Sequence, residues 1–372
     1  MKVLHVITGL EKGGAEGVLA RLVQFDQANT HCIISLTDDG YWGGIFKANN
    51  IQVMTLNMPR GRISINGLSK LYKSIKKIAP DVIQTWMYHS DLIGGLIGRL
   101  AGVRNIVWGI RHSNLDSAID SRSTILVANT CALLSNFIPK KIVSCSKVGA
   151  AYHGTIGYDK SKLVIIPNGY DFSNIQFSLA DRHSFRSSWG VSENTFVFGL
   201  VARWSPQKNH KGLLEAAALL DLQGINFKCV LAGDNIIKEN IELNSLIESL
   251  GISEKVILLG RQDNIPGLMS ALDLHVLPSL AGEGFPNVVA EAMACETLCL
   301  VTDIGDAALI VHEFGWVCSN FDTKSIEDSL SKIMKEYDSK LWSKRRVLAS
   351  EHVRNHYSIE KMCGNFFNAW KL

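Results

Sequence analysis

Residues 273–306 read DLHVLPSLAGEGFPNVVAEAMACETLCLVTDIGD. The apolar run 274–278 predicts a short buried strand of a parallel sheet. The turn-forming residues 279–284 follow, and from Pro286 onward small and apolar residues recur at helical spacing, with the proline suited to the first helical turn. A second apolar run at 298–302 completes the stretch. It therefore predicts a strand, a glycine loop, a helix and another strand.

The loop and helix of this stretch combine an anion site with two carboxylates. Free backbone N–H groups and the positive end of the helix dipole can hold a phosphate. Glu283 lies between Gly282 and Gly284, and Glu291 follows about two helical turns later. Because carboxylates accept hydrogen bonds from hydroxyls, a nucleotide sugar would suit both features. The plainer alternative is that Glu283 caps the helix and Glu291 is a solvated helix residue.

Residues 283–295, EGFPNVVAEAMAC, resemble the Glu-x7-Glu signature of the retaining glycosyltransferases of family 4. The resemblance implies the α/β GT-B fold, in which two Rossmann-like doubly wound domains face each other across a cleft and a C-terminal helix returns to the first domain. The family usually continues with Gly and, two residues on, Pro. This chain has Glu296 and Leu298 there, so we expect a different turn before the next strand.

Two cations in the second half stand five residues apart on a proline-containing loop between a predicted strand and a helix. They are Arg203 and Lys208. Such a pair can grip a pyrophosphate from two sides, with arginine supplying a planar fork and lysine a point charge. The spacing resembles the Arg-x4-Lys element of the family, which implies that both residues stabilise the donor diphosphate. Solvated loop charges are the alternative.

The resemblance implies further donor contacts. The backbone around Arg261 and Gln262 would read the nucleobase edge, Glu283 would hold the sugar hydroxyls, and Glu291 would hold the ribose. The remaining donor-contacting positions are Gly13, Gly14, Gly284, Phe285 and Asn287.

A glycine-rich loop also follows the first predicted strand, residues 2–8, and opens a helix near Ala15. Its glycine spacing does not fit the GxGxxG fingerprint of nicotinamide-binding domains. In the glycosyltransferase interpretation, Gly13 and Gly14 belong to the loop that faces the donor phosphates and the acceptor. A plain tight turn is the alternative.

Two histidines follow predicted strands of the first half, where ligands of doubly wound sheets collect. A histidine at such a place can hydrogen-bond a sugar hydroxyl or move a proton near neutral pH. His112 best matches the family histidine that lies near the donor sugar, and we assign His89 to the acceptor. A packing role is the alternative for each.

A chain of 372 residues with strands alternating with helices predicts two domains. The Pro-Asn-Gly turn at 167–169 and the polar, poorly periodic residues 170–190 predict the connection between them. We therefore expect a first domain at 1–170, completed by a C-terminal helix at about 355–372, and a second domain at 171–354.

The composition, with 47% hydrophobic and 20% charged residues, is that of a soluble globular protein. The longest apolar stretch, residues 124–139, contains polar side chains and predicts a buried helix instead of a membrane span. We interpret the N-terminus as a strand and not a leader, and expect a cytoplasmic protein. Eight cysteines without a CxxC pair or a histidine at ligand spacing predict reduced core residues, and no metal site.

The net charge of +3 conceals an asymmetry. Residues 1–170 hold 19 Lys and Arg against 10 Asp and Glu (+9), and residues 171–372 hold 19 against 25 (−6). Part of the excess lies on one short amphipathic stretch, in Lys70, Lys73, Lys76 and Lys77, with Arg60 and Arg62 just before it. Such a face could contact anionic lipid or an anionic acceptor, and a solvated helix face is the alternative. We expect no nucleic-acid partner.

These features, together with the resemblance to family 4, imply a retaining, metal-independent glycosyltransferase without a cofactor. It would move a hexose-type sugar from a nucleotide diphosphate sugar, with UDP favoured over GDP-mannose, to a hydroxyl of a glycan or lipid-linked acceptor, by analogy in surface polysaccharide or lipopolysaccharide synthesis. The expected catalytic residues are His112, Arg203, Lys208 and Glu283. Two alternatives stay open, a GT-B nucleotide-sugar epimerase, which would convert the donor without an acceptor, and a non-catalytic nucleotide-sugar-binding protein.

Overall fold

The computed structural model describes residues 1–59, 61–115, 120–337 and 339–371. The chain forms two compact units, Met1–Tyr170 together with Tyr357–Leu372, and Asp171–His356. Each is built on a parallel sheet covered by helices, which confirms the predicted class of two Rossmann-like domains.

The sheet of the first unit is wound outward in both directions from its centre. Its strands are β1 (Lys2–Ile7), β2 (Thr30–Ser35), β3 (Gln52–Thr55), β4 (Val82–Trp86), β5 (Ile106–Ile110), β6 (Lys141–Ser144) and β7 (Leu163–Ile165). They are all parallel, in the order β3-β2-β1-β4-β5-β6-β7. The direction of winding reverses between β1 and β4, so ligands are expected beyond the carboxyl ends of those strands.

Helices connect the strands of this unit. They are α1 (Gly14–Phe25), α2 (Gly40–Ala48), α3 (Ile65–Ile78), α4 (Tyr88–Leu100), α5 (Arg122–Leu134) and α6 (Lys147–Thr155). Helix α4 lies close to the sheet because glycines face it. A Cβ at Gly94 would lie 2.9 Å from Thr85 Cγ2, and one at Gly95 would lie 2.7 Å from Trp108 Nε1. This close packing holds α4 against β4 and β5.

The second unit repeats the plan with a smaller sheet. Its strands are β8 (Phe196–Val201), β9 (Phe227–Ala232), β10 (Val256–Leu258), β11 (Leu274–Leu277), β12 (Leu298–Val301) and β13 (Trp316–Val317). They are parallel, in the order β10-β9-β8-β11-β12-β13. The helices are α7 (Leu179–Ser188), α8 (His210–Leu222), α9 (Ile241–Ser249), α10 (Ile265–Ala271), α11 (Asn287–Ala294), α12 (Ala307–Val311), α13 (Thr323–Glu336) and α14 (Lys340–His356).

The last helix, α15 (Ile359–Trp370), belongs to the first unit, as the C-terminal helix of the predicted fold should. Its apolar stripe, with Met362, Phe366 and Trp370 almost fully buried, joins the core around β1 and β4. The Trp370 indole N–H donates to Gln84 Oε1 at 3.0 Å. This apolar stripe is therefore part of the core of the first unit.

The expected linker at 170–190 is wrong in part, because α7 lies within it and is packed against α10. Two arginines of α7 hold it there. Arg182 Nη2 donates to Asp273 Oδ1 at 2.8 Å, and Arg186 Nη1 donates to Asp273 Oδ2 at 3.2 Å. A helix that sequence polarity marks as solvated is thus fixed by a buried ion network.

The buried helix expected at 124–139 is also wrong. Helix α5 buries one face only, and Leu126 and Leu133 are 67% and 75% exposed. Among the helices in the described ranges, none is long and apolar enough to cross a membrane.

The turn after α11 takes a conformation suited to glycine. Glu296, which stands where the family usually has Gly, has φ of +58°, in the left-handed region. A glutamate therefore holds a backbone conformation that glycine adopts more easily, and the expected difference from the turn of the family stays a prediction.

Candidate active site

The glutamate of the second-unit glycine loop is buried and held in place. Ser279, just beyond β11, donates through Oγ to Glu283 Oε1 at 2.6 Å. The Thr302 hydroxyl, after β12, donates to the Ser279 carbonyl at 2.6 Å. Glu283 is only 6% exposed. Two strand ends thus fix a carboxylate whose surroundings exclude most water.

Lys208 binds that same carboxylate. It ends a 3-10 turn, Pro206–Lys208, before α8, and its Nζ lies 2.5 Å from Glu283 Oε1. The two loops are also joined through their backbones, since Leu280 N donates to the Gln207 carbonyl at 2.8 Å. The sequence predicted separate roles for Lys208 and Glu283, whereas the structure pairs them directly.

Arg203, the other predicted cation, lies near the start of the same loop. Its side chain is exposed and makes no hydrogen bond or ion pair with any other residue that the structure describes. The neighbouring Trp204 is anchored, with its backbone N–H donating to the Asp234 carbonyl at 2.8 Å. An anchored loop with an uncommitted guanidinium suits an anionic ligand.

The helix after the loop carries the second predicted glutamate. Helix α11 begins at Asn287 after Pro286, and Glu291 is partly buried on it. Gly284 is partly exposed in the loop, and Phe285 is 7% exposed.

The loop after β12 packs tightly on the glutamate loop, which the sequence analysis did not predict. A Cβ at Gly305, whose φ is +61°, would lie 2.3 Å from the Glu283 carbonyl oxygen. Asp306 N donates to the Gly284 carbonyl at 2.9 Å. Gly305 is therefore required for this approach, and the only sequence signal for it was a turn-forming Ile-Gly-Asp.

The predicted base-reading residues lie after β10. Arg261 Nε contacts Asp234 Oδ1 at 3.0 Å, with both side chains largely exposed. Gln262 Nε2 donates to the Leu259 carbonyl at 2.7 Å. Arg203, Asp234, Arg261 and Glu283 follow β8, β9, β10 and β11, so all four share the carboxyl edge of one parallel sheet. The base-reading role of Arg261 and Gln262 stays a prediction.

In the first unit, the predicted glycines form the start of α1. Gly13 is its N-cap and Gly14 its first residue, and both are exposed. A Cβ at Gly13 would lie 2.3 Å from Glu16 Oε2, so the Glu16 carboxylate is folded back over the loop. Burial raises the pKa of Glu16. This glutamate was not singled out from the sequence.

The predicted histidines lie at the carboxyl ends of β4 and β5. His112 follows β5 and is stacked on the ring of Tyr88, with centroids 5.3 Å apart. Burial lowers the pKa of His112, and its Nδ1 has no hydrogen-bond partner among the described residues. His89 is the second residue of α4, partly buried, and burial lowers its pKa too.

Two further polar residues of this edge were missed. Arg111 Nη1 donates to Asn168 Oδ1 at 2.7 Å, and its guanidinium lies 4.6 Å from the Trp86 ring. Asp91 is fully buried, and burial raises its pKa to about 7. Arg111 could have been suspected from its place beside His112, whereas nothing in the sequence marks Asp91 as buried.

Two family models match the chain. Residues 12–174 match the model described as Glycosyltransferase Family 4, and residues 181–350 match the model described as Glycosyl transferases group 1. Between them they leave out only the two ends of the chain and a few residues near the boundary of the two units.

Several known proteins are similar to this chain. The UDP-Gal:alpha-D-GlcNAc-diphosphoundecaprenol alpha-1,3-galactosyltransferase of Escherichia coli is 26% identical over 302 residues, which cover 80% of this chain and 76% of that protein. The N-acetylgalactosamine-N,N'-diacetylbacillosaminyl-diphospho-undecaprenol 4-alpha-N-acetylgalactosaminyltransferase of Campylobacter jejuni is 29% identical over 202 residues, covering 52% of this chain and 51% of its own.

The fold matches that of a solved structure over nearly the whole chain. HepE from Anabaena, solved in complex with UDP, superimposes with a TM-score of 0.87 at 22% identity, covering 99% of each chain. The same protein has been solved with UDP-glucose. From the two family models and this fold, we conclude that the chain belongs to the group 1 glycosyltransferases and has the GT-B fold.

Proposed function

We propose that this protein is a retaining, metal-independent hexosyltransferase that uses a UDP-sugar donor and a glycan or lipid-linked acceptor hydroxyl in surface polysaccharide synthesis. The observation that carries the proposal is the group formed by Glu283, Lys208 and Arg203 at one sheet edge. It offers a buried carboxylate for sugar hydroxyls, a lysine bound to that carboxylate, and an arginine that has no hydrogen bond or ion pair with any described residue.

Departure of the diphosphate is the step that most needs the protein's charges. Arg203 and Lys208 stabilise the negative charge that develops on the leaving group, a role of the kind in which one donor is worth about 10²- to 10³-fold in rate. Two cations on one loop can replace a divalent ion in this role, so metal independence is part of the proposal. The acceptor attacks on the face that the diphosphate leaves, and a phosphate oxygen takes its proton.

The pairing of Lys208 with Glu283 suggests how donor binding rearranges the site. Phosphate oxygens of the donor replace Glu283 as the partner of Lys208. The freed carboxylate then accepts hydrogen bonds from hydroxyls of the transferred sugar. Because this exchange leaves the partly buried lysine and the buried carboxylate each with a polar partner, it avoids the cost of leaving either charge alone.

Support for a UDP donor comes from the proteins similar to this chain. The name of the E. coli relative specifies UDP-Gal, and HepE has been solved with UDP and with UDP-glucose. GDP-mannose is the second choice. The names of both bacterial relatives also specify a sugar diphospho-undecaprenol acceptor, which supports a lipid-linked acceptor here.

A lipid-linked acceptor would bring the protein to a membrane surface, and we propose contact through the basic face of α3. This face comprises Lys70, Lys73, Lys76 and Lys77, all exposed, with Arg62 exposed just before the helix. Arg60 lies outside the described residues. Buried Leu71 and Ile75 lie on the opposite side of the helix, and Ile65 at its start is 87% exposed. Basic and apolar groups together suit an anionic lipid surface. The protein would then be cytoplasmic and peripheral to the inner face of the membrane.

The transfer reaction is tested with a panel of UDP-, GDP- and ADP-sugars and a synthetic GlcNAc-diphospholipid acceptor. Thermal-shift binding identifies the donor, and mass spectrometry and the anomeric proton coupling of the product identify the linkage. We expect a UDP-sugar to stabilise the protein and an α-linked product to form without added metal. An epimerised donor formed without acceptor would favour the epimerase, and donor binding without any product would favour a binding protein.

The membrane contact is tested by cosedimentation with phosphatidylglycerol vesicles. Each lysine near an anionic surface is worth about 1 kcal/mol, so changing the four lysines of the α3 face to Glu should abolish binding. A control variant changes two exposed lysines of α13, Lys332 and Lys335, to Glu. Equal binding of both variants would contradict the proposed face.

A further inference from the structure

The imidazole of His112 is stacked on the ring of Tyr88, the first residue of α4. Its plane lies 25° from that of Tyr88, and Tyr88 is only 2% exposed. The Nδ1 atom of His112 is buried and has no partner among the described residues. Since a functional histidine is usually oriented through one ring nitrogen, the stacked tyrosine takes over that task here.

The ring of Tyr88 is itself anchored at its far end. Its hydroxyl lies 2.7 Å from Nε2 of His153, a fully buried residue of α6. Nδ1 of His153 lies 2.7 Å from the Gly149 carbonyl oxygen, which can only accept, so Nδ1 carries the proton and Nε2 accepts from the tyrosine. Burial lowers the pKa of His153 to about 4, which keeps this arrangement neutral at physiological pH.

The backbone that presents Tyr88 is also fixed. Met87, just before it, has φ of +71° and ψ of 156°, a combination that residues other than glycine rarely adopt. Met87 N donates to the Gly109 carbonyl at 2.8 Å, and Gly109 N donates to Asp91 Oδ1 at 3.1 Å. The start of α4 is thus bound to β5, and His112 leaves the end of that strand.

We propose that Tyr88 is a positioning residue for His112, with its ring held by His153 so that it sets the plane and the proton affinity of the imidazole. The negative face of the ring favours the protonated imidazole, and so does the Asp120 carboxylate, whereas burial opposes it. His153 is neutral and adds no charge. The proposal rests on the proposed function only for the claim that His112 serves sugar transfer.

The first test measures UDP release from UDP-glucose and UDP-galactose. Tyr88→Leu removes the ring and should lower kcat by about 10- to 100-fold, with the KM for donor changed by less than about threefold, because a loosened catalytic group loses rate and not binding. Tyr88→Phe keeps the ring but loses the hydroxyl that is anchored to His153. Its kcat should lie between those of Tyr88→Leu and wild type. The matched control is Tyr152→Phe, whose hydroxyl donates to the Leu115 carbonyl at 3.2 Å and which should keep wild-type turnover.

The second test does not depend on activity. The pKa of His112 is measured by NMR titration of its imidazole in the full chain, assigned with His112→Gln. Tyr88→Leu should lower that pKa by about half a unit or more, as expected for a lost contact of the cation–π kind. Tyr152→Phe should leave the pKa of His112 unchanged.

The two tests distinguish failure of the proposed sugar transfer from failure of the positioning role of Tyr88. If wild type releases no UDP from any UDP-sugar, the proposed function fails, and the titration still decides whether Tyr88 controls His112. An unchanged His112 titration in Tyr88→Leu overturns the positioning role. If that variant does not fold, Tyr88→Phe decides, and wild-type kcat together with a wild-type titration overturns it.

Discussion

Replacing Lys208 with Ala should lower turnover by about 10²-fold or more. In the structure its Nζ lies 2.5 Å from Glu283 Oε1, on a loop that also carries the exposed Arg203. Removing one charge-stabilising donor from an active site typically costs about 10²- to 10³-fold in kcat, or about 2.7–4 kcal/mol of transition-state stabilisation. The loss of turnover in Lys208→Ala is expected in this range because a single arginine then remains to stabilise the diphosphate.

The same change should also destabilise the second unit, for a separate reason. Glu283 is 6% exposed and, among the described residues, keeps only the hydrogen bond from Ser279 once the lysine is gone. A buried polar group that loses its partner costs about 1–3 kcal/mol. The double variant Lys208→Ala, Glu283→Gln should recover most of that loss, because the uncompensated charge is removed, but it should recover no turnover.

Steady-state UDP release and urea unfolding measure the two effects. The matched control is Lys211→Ala, three residues further on, whose side chain is 71% exposed and lies 3.8 Å from Glu215. This control should behave as wild type in both assays. Turnover of Lys208→Ala within about threefold of the control, or a double variant no more stable than the single one, would refute the reasoning.

Three further predictions concern stability. Glu296→Gly should raise the free energy of unfolding in urea by about 0.5–1 kcal/mol, because glycine relieves the left-handed backbone strain. The ion pair with Arg346 that this change removes is weak, at 3.9 Å, and a destabilised variant would contradict the prediction. Asp273→Asn should cost about 3 kcal/mol or more, since it removes the buried carboxylate of two buried arginines and leaves them the half-exposed Glu193, and a loss below about 1 kcal/mol would count against that network. Burial lowers the pKa of both His5 and His31 below 6.5, so the unfolded chain binds more protons and stability should fall as the pH drops below about 6.5. Unfolding at pH 7.5 and 5.5 measures this slope, and the variant with both histidines changed to Gln should show a smaller one; an identical slope would exclude the pair as its source.

Much of the fold follows from local sequence. Strand-like apolar runs alternate with amphipathic helices, and this pattern is set by residues close together in the chain. The shared edge for Arg203, Arg261 and Glu283 follows as well, because the carboxyl ends of parallel strands meet at the same side of a sheet. No knowledge of side-chain contacts was needed for either inference.

The contacts within the candidate site depended on the tertiary structure. The pairing of Lys208 with Glu283 joins residues 75 positions apart, and the contact of Tyr88 with His153 joins residues 65 positions apart. Such contacts depend on strand register, helix packing and rotamers, which spacing along the chain does not specify.

Tertiary contacts also decided which charged residues are buried. Residues 170–190 look solvated because they are polar, yet α7 lies there with Arg186 fully buried beside Asp273, since an ion pair offsets the cost of removing each charge from water. The sequence by itself determined which residue types stand at the strand ends of this protein. Only the tertiary structure decided which of them meet, because a charge or a ring is buried or paired according to neighbours that are distant in the chain.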